Sequence, residues 1–252
     1  LEYTDQQDDY CIRCLPQILG PRYYTILEQE QVLESELNAV TDNPLIFKNE
    51  EISPDVSNLE KLSFNGSSWC VISGGNFHGE NISTSCDIIR LQNAKIALTL
   101  ERQITYMLNP FRNKDALPCY LINSEKDEGL RSGFMIAQYT ANALTHKICH
   151  NAAPVGTMNL TSGNESEDIV SYGATAAQKM FEQVEYLEEL LAIYLTTALQ
   201  AYSLSKYKSN RTGSFAEEVF SLLSREMTFP RTDDESLNPL FEENLKLIRS
   251  QK

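Results

Sequence analysis

Two stretches of this chain, Asn81 to Leu108 and Glu167 to Tyr207, contain no proline and repeat their apolar residues with the period of an α-helix. In the first, Ile82, Cys86, Ile89, Ile96, Leu100, Ile104 and Leu108 recur mostly at intervals of three, four or seven, which puts them on one broad stripe. In the second the stripe is Ile169, Tyr172, Ala176, Met180, Val184, Leu187, Leu191, Tyr194 and Leu199. Helices of this length exceed the usual globular range, and a helix cannot bury its own stripe. They therefore require a bundle, and often an oligomer. Ser132 to His150 is apolar on nearly all sides, so it reads as a helix surrounded by others. No strand pattern competes; the best candidate, Trp69 to Ser73, is short and flanked by Gly and Ser. The expected fold class is all-α, a bundle of very long helices.

Between these helices lie segments rich in Gly, Asn, Ser and Pro: Thr41 to Pro54, Ser63 to Gly79, Asn109 to Pro118 and Asn151 to Asn164. They read as loops, where chemistry is sought first. After the second long helix, KYKSNRTG reads as a turn, followed by shorter helices near Phe215 to Arg225 and Asp234 to Ser250. The expected division is a central helical-bundle portion with the loops over residues 1–206 and a structural helical tail over 207–252. No period of twenty to fifty residues repeats, which argues against a solenoid.

Charge narrows the partners. Lys and Arg total 21 against 35 Asp and Glu, a net charge of -14 that would repel a phosphate backbone. Nucleic acid is not an expected partner. No run of eighteen apolar residues occurs and the acidic start LEYTDQQDDY lacks the features of a secretory signal, so the expectation is a cytoplasmic chain without a membrane anchor. The six cysteines sit among apolar residues, as reduced core thiols do. Cys11 and Cys14 form a CxxC, but no second pair follows and the nearest histidine is His78, so no metal is expected.

Three motifs carry chemical possibilities. In QDDYCIRCLPQ, Gln7 to Gln17, Tyr10 and Arg13 share one face if the segment is helical. The pair reads either as a surface stack or as a site in which the planar guanidinium takes a carboxylate and the phenol serves a reacting centre. SGGNFHG, Ser73 to Gly79, has three glycines that permit tight backbone, but it is not a nucleotide-binding pattern. Glu165, Glu167 and Asp168 stand where a loop runs into the long helix. A carboxylate there complements the helix macrodipole, or serves as a base or amine-binding group.

In order along the chain, QDDYCIRCLPQ, ELNAVTDNPL (Glu36 to Leu45), SGGNFHG, GLRSGFMIAQYTANAL (Gly129 to Leu144) and EDIVSYGA (Glu167 to Ala174) resemble successive blocks of the histidine ammonia-lyase, or aromatic amino-acid ammonia-lyase, family. The resemblance runs from about Gln7 to about Tyr202. It implies the C-terminal half of an ammonia-lyase/fumarase-like helical fold, assembled as a homotetramer, that eliminates ammonia from histidine to give urocanate. It also implies a methylidene-imidazolone (MIO) cofactor, formed from an Ala-Ser-Gly tripeptide in the family's N-terminal half. No Ala-Ser-Gly occurs in these 252 residues. The resemblance thus implies a partner, the N-terminal half of the same enzyme, without which the chain is inactive.

By the same resemblance Arg13 holds the substrate carboxylate, Tyr10 stands close to the electrophile, Gln7 belongs to the same wall, and Phe77 packs beside the imidazolone. Glu167 matches the glutamate of the histidine enzymes near the substrate amine and ring. Asn43 and Asn76 lie in family motifs with no role assigned. Ser166, Ile169, Arg131, Gln103 and Lys147 to Cys149 depart from the family pattern, and DIVSYG is similar to the tyrosine aminomutase version. Three alternatives remain open: a tyrosine or phenylalanine ammonia-lyase, an aminomutase, and a catalytically inactive helical oligomerisation scaffold.

Overall fold

Helical periodicity becomes helix almost where the apolar stripes place it. The computed structural model describes residues 7–48, 50, 60–64, 66–123, 129–205, 215–224 and 227–250; the KYKSNRTG turn and the ends of two expected segments at Pro54 and Arg225 lie outside the described residues. Its helices are α1 (Tyr10–Arg13), α2 (Leu15–Leu37), α3 (Glu80–Leu108), α4 (Pro110–Asn113), α5 (Met135–His150), α6 (Gly173–Leu204), α7 (Phe215–Leu223) and α8 (Asn238–Arg249). Three short strands stand between α2 and α3: β1 (Leu45–Lys48), β2 (Glu60–Phe64) and β3 (Ser67–Ile72). The molecule is predominantly helical. No helix of the described residues is long and apolar enough to cross a membrane.

α3 has 29 residues, about 43 Å at the α-helical rise, and stops where Asn109 turns the chain and Pro110 opens α4. The Asn109 side chain accepts the Phe111 N–H at 3.0 Å, an N-cap in the ordinary sense. α6 begins at Gly173, six residues after the expected start at Glu167. Tyr172 stands in the left-handed region (φ 51°), and the residues before it are engaged in a separate loop, so the helix has no continuous backbone to extend into. α2, for which the sequence offers a contrary signal in Gly20 and Pro21, forms all the same with Pro21 inside it.

The chain forms two compact units: Leu1–Ile26, Ile88–Ala153 and Gln178–Lys252 make the first, Leu27–Asp87 and Pro154–Ala177 the second. The first is a helix bundle whose core includes Ala97, Ile104, Leu121, Phe134, Ala137, Ala141, Ile148, Leu190 and Ile193, all buried. The alanines let helix backbones approach, and the branched residues fill the remaining space. Gln183 is fully buried and donates to the carbonyls of Arg90, at 3.0 Å, and Ile148, at 2.9 Å, so one amide on α6 joins α3 and α5. α5 is buried along Ala137, Ala141, Leu144, Thr145 and Ile148 but leaves Ile136 and Tyr139 exposed. The expectation of a helix enclosed on all sides is met on one face only; its second apolar flank meets no cover among the described residues.

The second unit holds a sheet in the order β1-β3-β2, both pairings antiparallel, with Leu45 opposite Ile72 and Phe64 opposite Ser67. The one strand candidate of the sequence, Trp69 to Ser73, overlaps the central β3. β1 lies inside one expected loop and β2 runs into the start of another; both escape the sequence pattern because they are only four and five residues long.

Candidate functional site

In the first unit, α1 is a single turn, and the three-residue spacing brings Arg13 over Tyr10, with the guanidinium carbon 4.7 Å from the ring centroid. Both side chains are exposed, as is Gln7 just ahead of them. No carboxylate pairs with Arg13 among the described residues. The aspartates beside it are occupied: Asp8 with Lys114 at 2.9 Å and Asp9 with Arg112 at 2.8 Å. Gln103 donates to the Cys11 carbonyl at 2.8 Å. The short helix is thereby fixed from outside. Burial pushes the Cys11 thiol up, and Asp9 adds to the shift, so the sulfur is a weaker acid than an ordinary thiol.

In the second unit, SGGNFHG leaves β3 and turns into α3. Asn43 organises its start, its side-chain oxygen accepting the Ser73 hydroxyl at 3.2 Å and the Gly74 N–H at 3.1 Å. Asn76 donates to the Val40 carbonyl, and the His78 N–H closes a turn on the Gly75 carbonyl at 3.0 Å. Phe77 sits on this braced backbone and is 55% exposed. Gly79 is packed closely enough that a Cβ there would lie 3.1 Å from the Ser171 hydroxyl, and a Cβ on Gly173 would lie 3.3 Å from the Gly79 carbonyl.

Glu167 belongs to the same unit and is exposed, ahead of α6 rather than in its first turn; the macrodipole reading of Glu165, Glu167 and Asp168 therefore does not hold. Its carboxylate accepts the Ser162 hydroxyl, and the two residues exchange backbone hydrogen bonds at 3.0 and 3.2 Å. The link between them turns through Gly163, Asn164 and Glu165, all at positive φ. Beyond it Asn159 clamps Val170, accepting its N–H at 3.0 Å and donating to its carbonyl. In the first unit Asp8, Asp9, Gln103 and Arg112 carry no local sequence signal, since their partners lie far along the chain; in the second, neither do Asn159 and Ser162.

Departures from the family pattern find physical partners. Arg131 pairs with Asp233 at 2.8 Å, Lys147 lies 4.8 Å from the Tyr186 ring centroid, Ile148 fills the core, and the Ser166 hydroxyl donates to the Gly163 carbonyl.

Residues 2–225 match the family model described as aromatic amino acid lyase. Histidine ammonia-lyase of Treponema denticola is 38% identical over 225 residues, which is 89% of this chain and 40% of that protein. The crystal structure of histidine ammonia-lyase from Trypanosoma cruzi superposes with a TM-score of 0.80 and 34% identity, covering 97% of this chain and 43% of that one. Tyrosine aminomutase from Streptomyces globisporus superposes with a TM-score of 0.81 at 25% identity, over 99% of this chain and 43% of its own. The chain spans less than half the length of these relatives.

Proposed function

Because the chain belongs to the aromatic amino acid lyase family, we propose that it provides substrate-facing residues of an ammonia-lyase that converts histidine to urocanate. The observation that carries the reading is Arg13: a guanidinium over the Tyr10 ring on a helix tied to its neighbours, yet with no carboxylate partner among the described residues. Its two parallel donors suit the α-carboxylate of an amino acid, and binding there orients the substrate before any bond breaks. Tyr10, under the guanidinium, is a hydroxyl donor or acceptor at the same place, and Gln7 adds an amide. Glu167 serves as acceptor for an imidazole N–H, a donor that a phenyl ring lacks, which favours histidine over phenylalanine.

The family's methylidene-imidazolone, when present, supplies the electrophile that activates the amino acid for loss of its amino group. Phe77 suits it: an exposed ring on a backbone braced by Asn43 and Asn76 offers a flat apolar face for a planar heterocycle. Since no Ala-Ser-Gly occurs among the 252 residues, the reading requires that tripeptide from outside them. Assembly of identical chains, as a homotetramer, belongs to the same reading; the exposed Tyr23, Tyr24, Ile136, Tyr139 and Phe181 supply apolar surface for it.

Urocanate formation from L-histidine by the native protein tests this directly. Arg13→Ala should lower kcat/KM by about a hundredfold or more, the scale of a lost charged hydrogen-bond pair. Unchanged activity in that variant would end the assignment. The likeness to tyrosine aminomutase and the DIVSYG segment favour a second reading, an aminomutase, in which a β-amino acid accumulates in place of urocanate.

A further inference from the structure

We propose that His78 is a positioning residue for Glu167, and that it sets the enzyme's preference for a substrate bearing an imidazole N–H; this rests on the reading of Glu167 given above. Glu167 stands on one leg of a tight loop in the second unit. The loop turns through three residues in the left-handed region, two of them Asn164 and Glu165, at φ 57° and 68°. Such conformations are held only where surrounding contacts over-determine them. Apolar packing does not hold this leg, since Glu167, Asp168 and Ile169 are all exposed. Polar contacts do. Ser162 takes the Glu167 side chain and backbone, and Asn159 takes both backbone groups of Val170.

Between these two clamps the chain passes Ile169, and its carbonyl receives His78 Nε2 at 3.0 Å. A carbonyl oxygen only accepts, so the ring nitrogen donates, and it does so in the Nε2–H tautomer or as imidazolium alike. His78 follows Phe77 in the SGGNFHG turn, which Asn43 and Asn76 have already fixed. One imidazole thus ties the exposed ring of Phe77 to the leg that carries the Glu167 carboxylate. Gly79 and Gly173 make this possible, because their lack of side chains lets the two segments meet. With the bond in place the carboxylate meets a substrate N–H at a fixed distance from Phe77; without it Ile169 and Glu167 move as a loop, and the selectivity for histidine weakens.

The test uses the native protein with His78→Gln, whose amide nitrogen reaches about where Nε2 stood, and His78→Asn, one methylene shorter. We expect His78→Gln to keep kcat/KM for L-histidine within about threefold, and His78→Asn to lose about tenfold or more, mainly through KM. In a Glu167→Gln background the same Asn change should cost less than about threefold, because coupled residues are not additive. Equal activity of the Gln and Asn variants, or an undiminished Asn effect in the Glu167→Gln background, would overturn the proposal. Glu167→Gln with wild-type turnover of histidine overturns the Glu167 reading and this proposal together; an impaired Glu167→Gln beside a fully active His78→Asn overturns this proposal alone. A nitrogen-15 NMR spectrum gives a readout that needs no variant. A proton on His78 Nε2 is expected, and a ring whose Nε2 carries none contradicts the bond.

Discussion

Gly133 has no room for a side chain. Its φ is +51°, and a Cβ there would lie 2.5 Å from the Tyr120 carbonyl oxygen and 2.9 Å from an Ile122 methylene carbon. Gly133→Ala should destabilise the protein by more than about 1 kcal/mol in urea unfolding, whereas Gly74→Ala, with open space around it, should stay within about 0.5 kcal/mol. Equal effects would contradict the crowding. At this scale the sequence was legible where chemistry is local: the spacing of Tyr10 and Arg13 carries straight into their stack. It was silent where partners are distant. Arg112 and Lys114 reach aspartates about a hundred positions away, and nothing in QDDYCIRC says which residues will hold it. At Cys11 burial raises the thiol pKa, and Asp9 adds to the shift.

Among the elements, α3 and α6 were readable because a face buried over many turns leaves a clear helical period, and α5 because it is apolar with little interruption. The starts of α5 and α6 were not, because tertiary contacts set them. α6 starts after a left-handed Tyr172, and α5 starts after Ser132 and Gly133, whose N–H groups are taken by the Asp234 carboxylate at 2.7 and 2.9 Å. α2 was missed for the opposite reason: it forms across Gly20 and Pro21 and buries no residue fully, so it lacks the stripe by which a helix is recognised. Gln183 makes the cohesion of the bundle testable. Gln183→Ala removes a buried amide and both of its bonds to neighbouring helices, and should cost about 2 kcal/mol or more on thermal or denaturant unfolding. A change below about 0.5 kcal/mol would mean that α3, α5 and α6 hold together without it.

For the molecule as a whole, alkaline pH probes the packing of the first unit. Burial, with Cys11 as a lesser cause, raises the Tyr194 pKa above its ordinary 10.0, and burial followed by Asp8 and Asp9 does the same for Tyr106. A raised folded value means that stability is fully present below about pH 10 and falls as pH rises past it, because the unfolded tyrosines release their protons first. Tyr194→Phe should flatten that fall; an unchanged pH dependence would contradict the buried phenol. The central claim concerns function, that Arg13 receives the carboxylate of an amino acid. Histamine, which is histidine without that carboxylate, separates this from a general effect on the site. Competition against L-histidine turnover in the native protein and in Arg13→Ala gives the comparison. The account predicts that Arg13→Ala weakens histidine by about a hundredfold while the histamine inhibition constant shifts by less than about threefold. Equal losses for both ligands, or none for either, would contradict it.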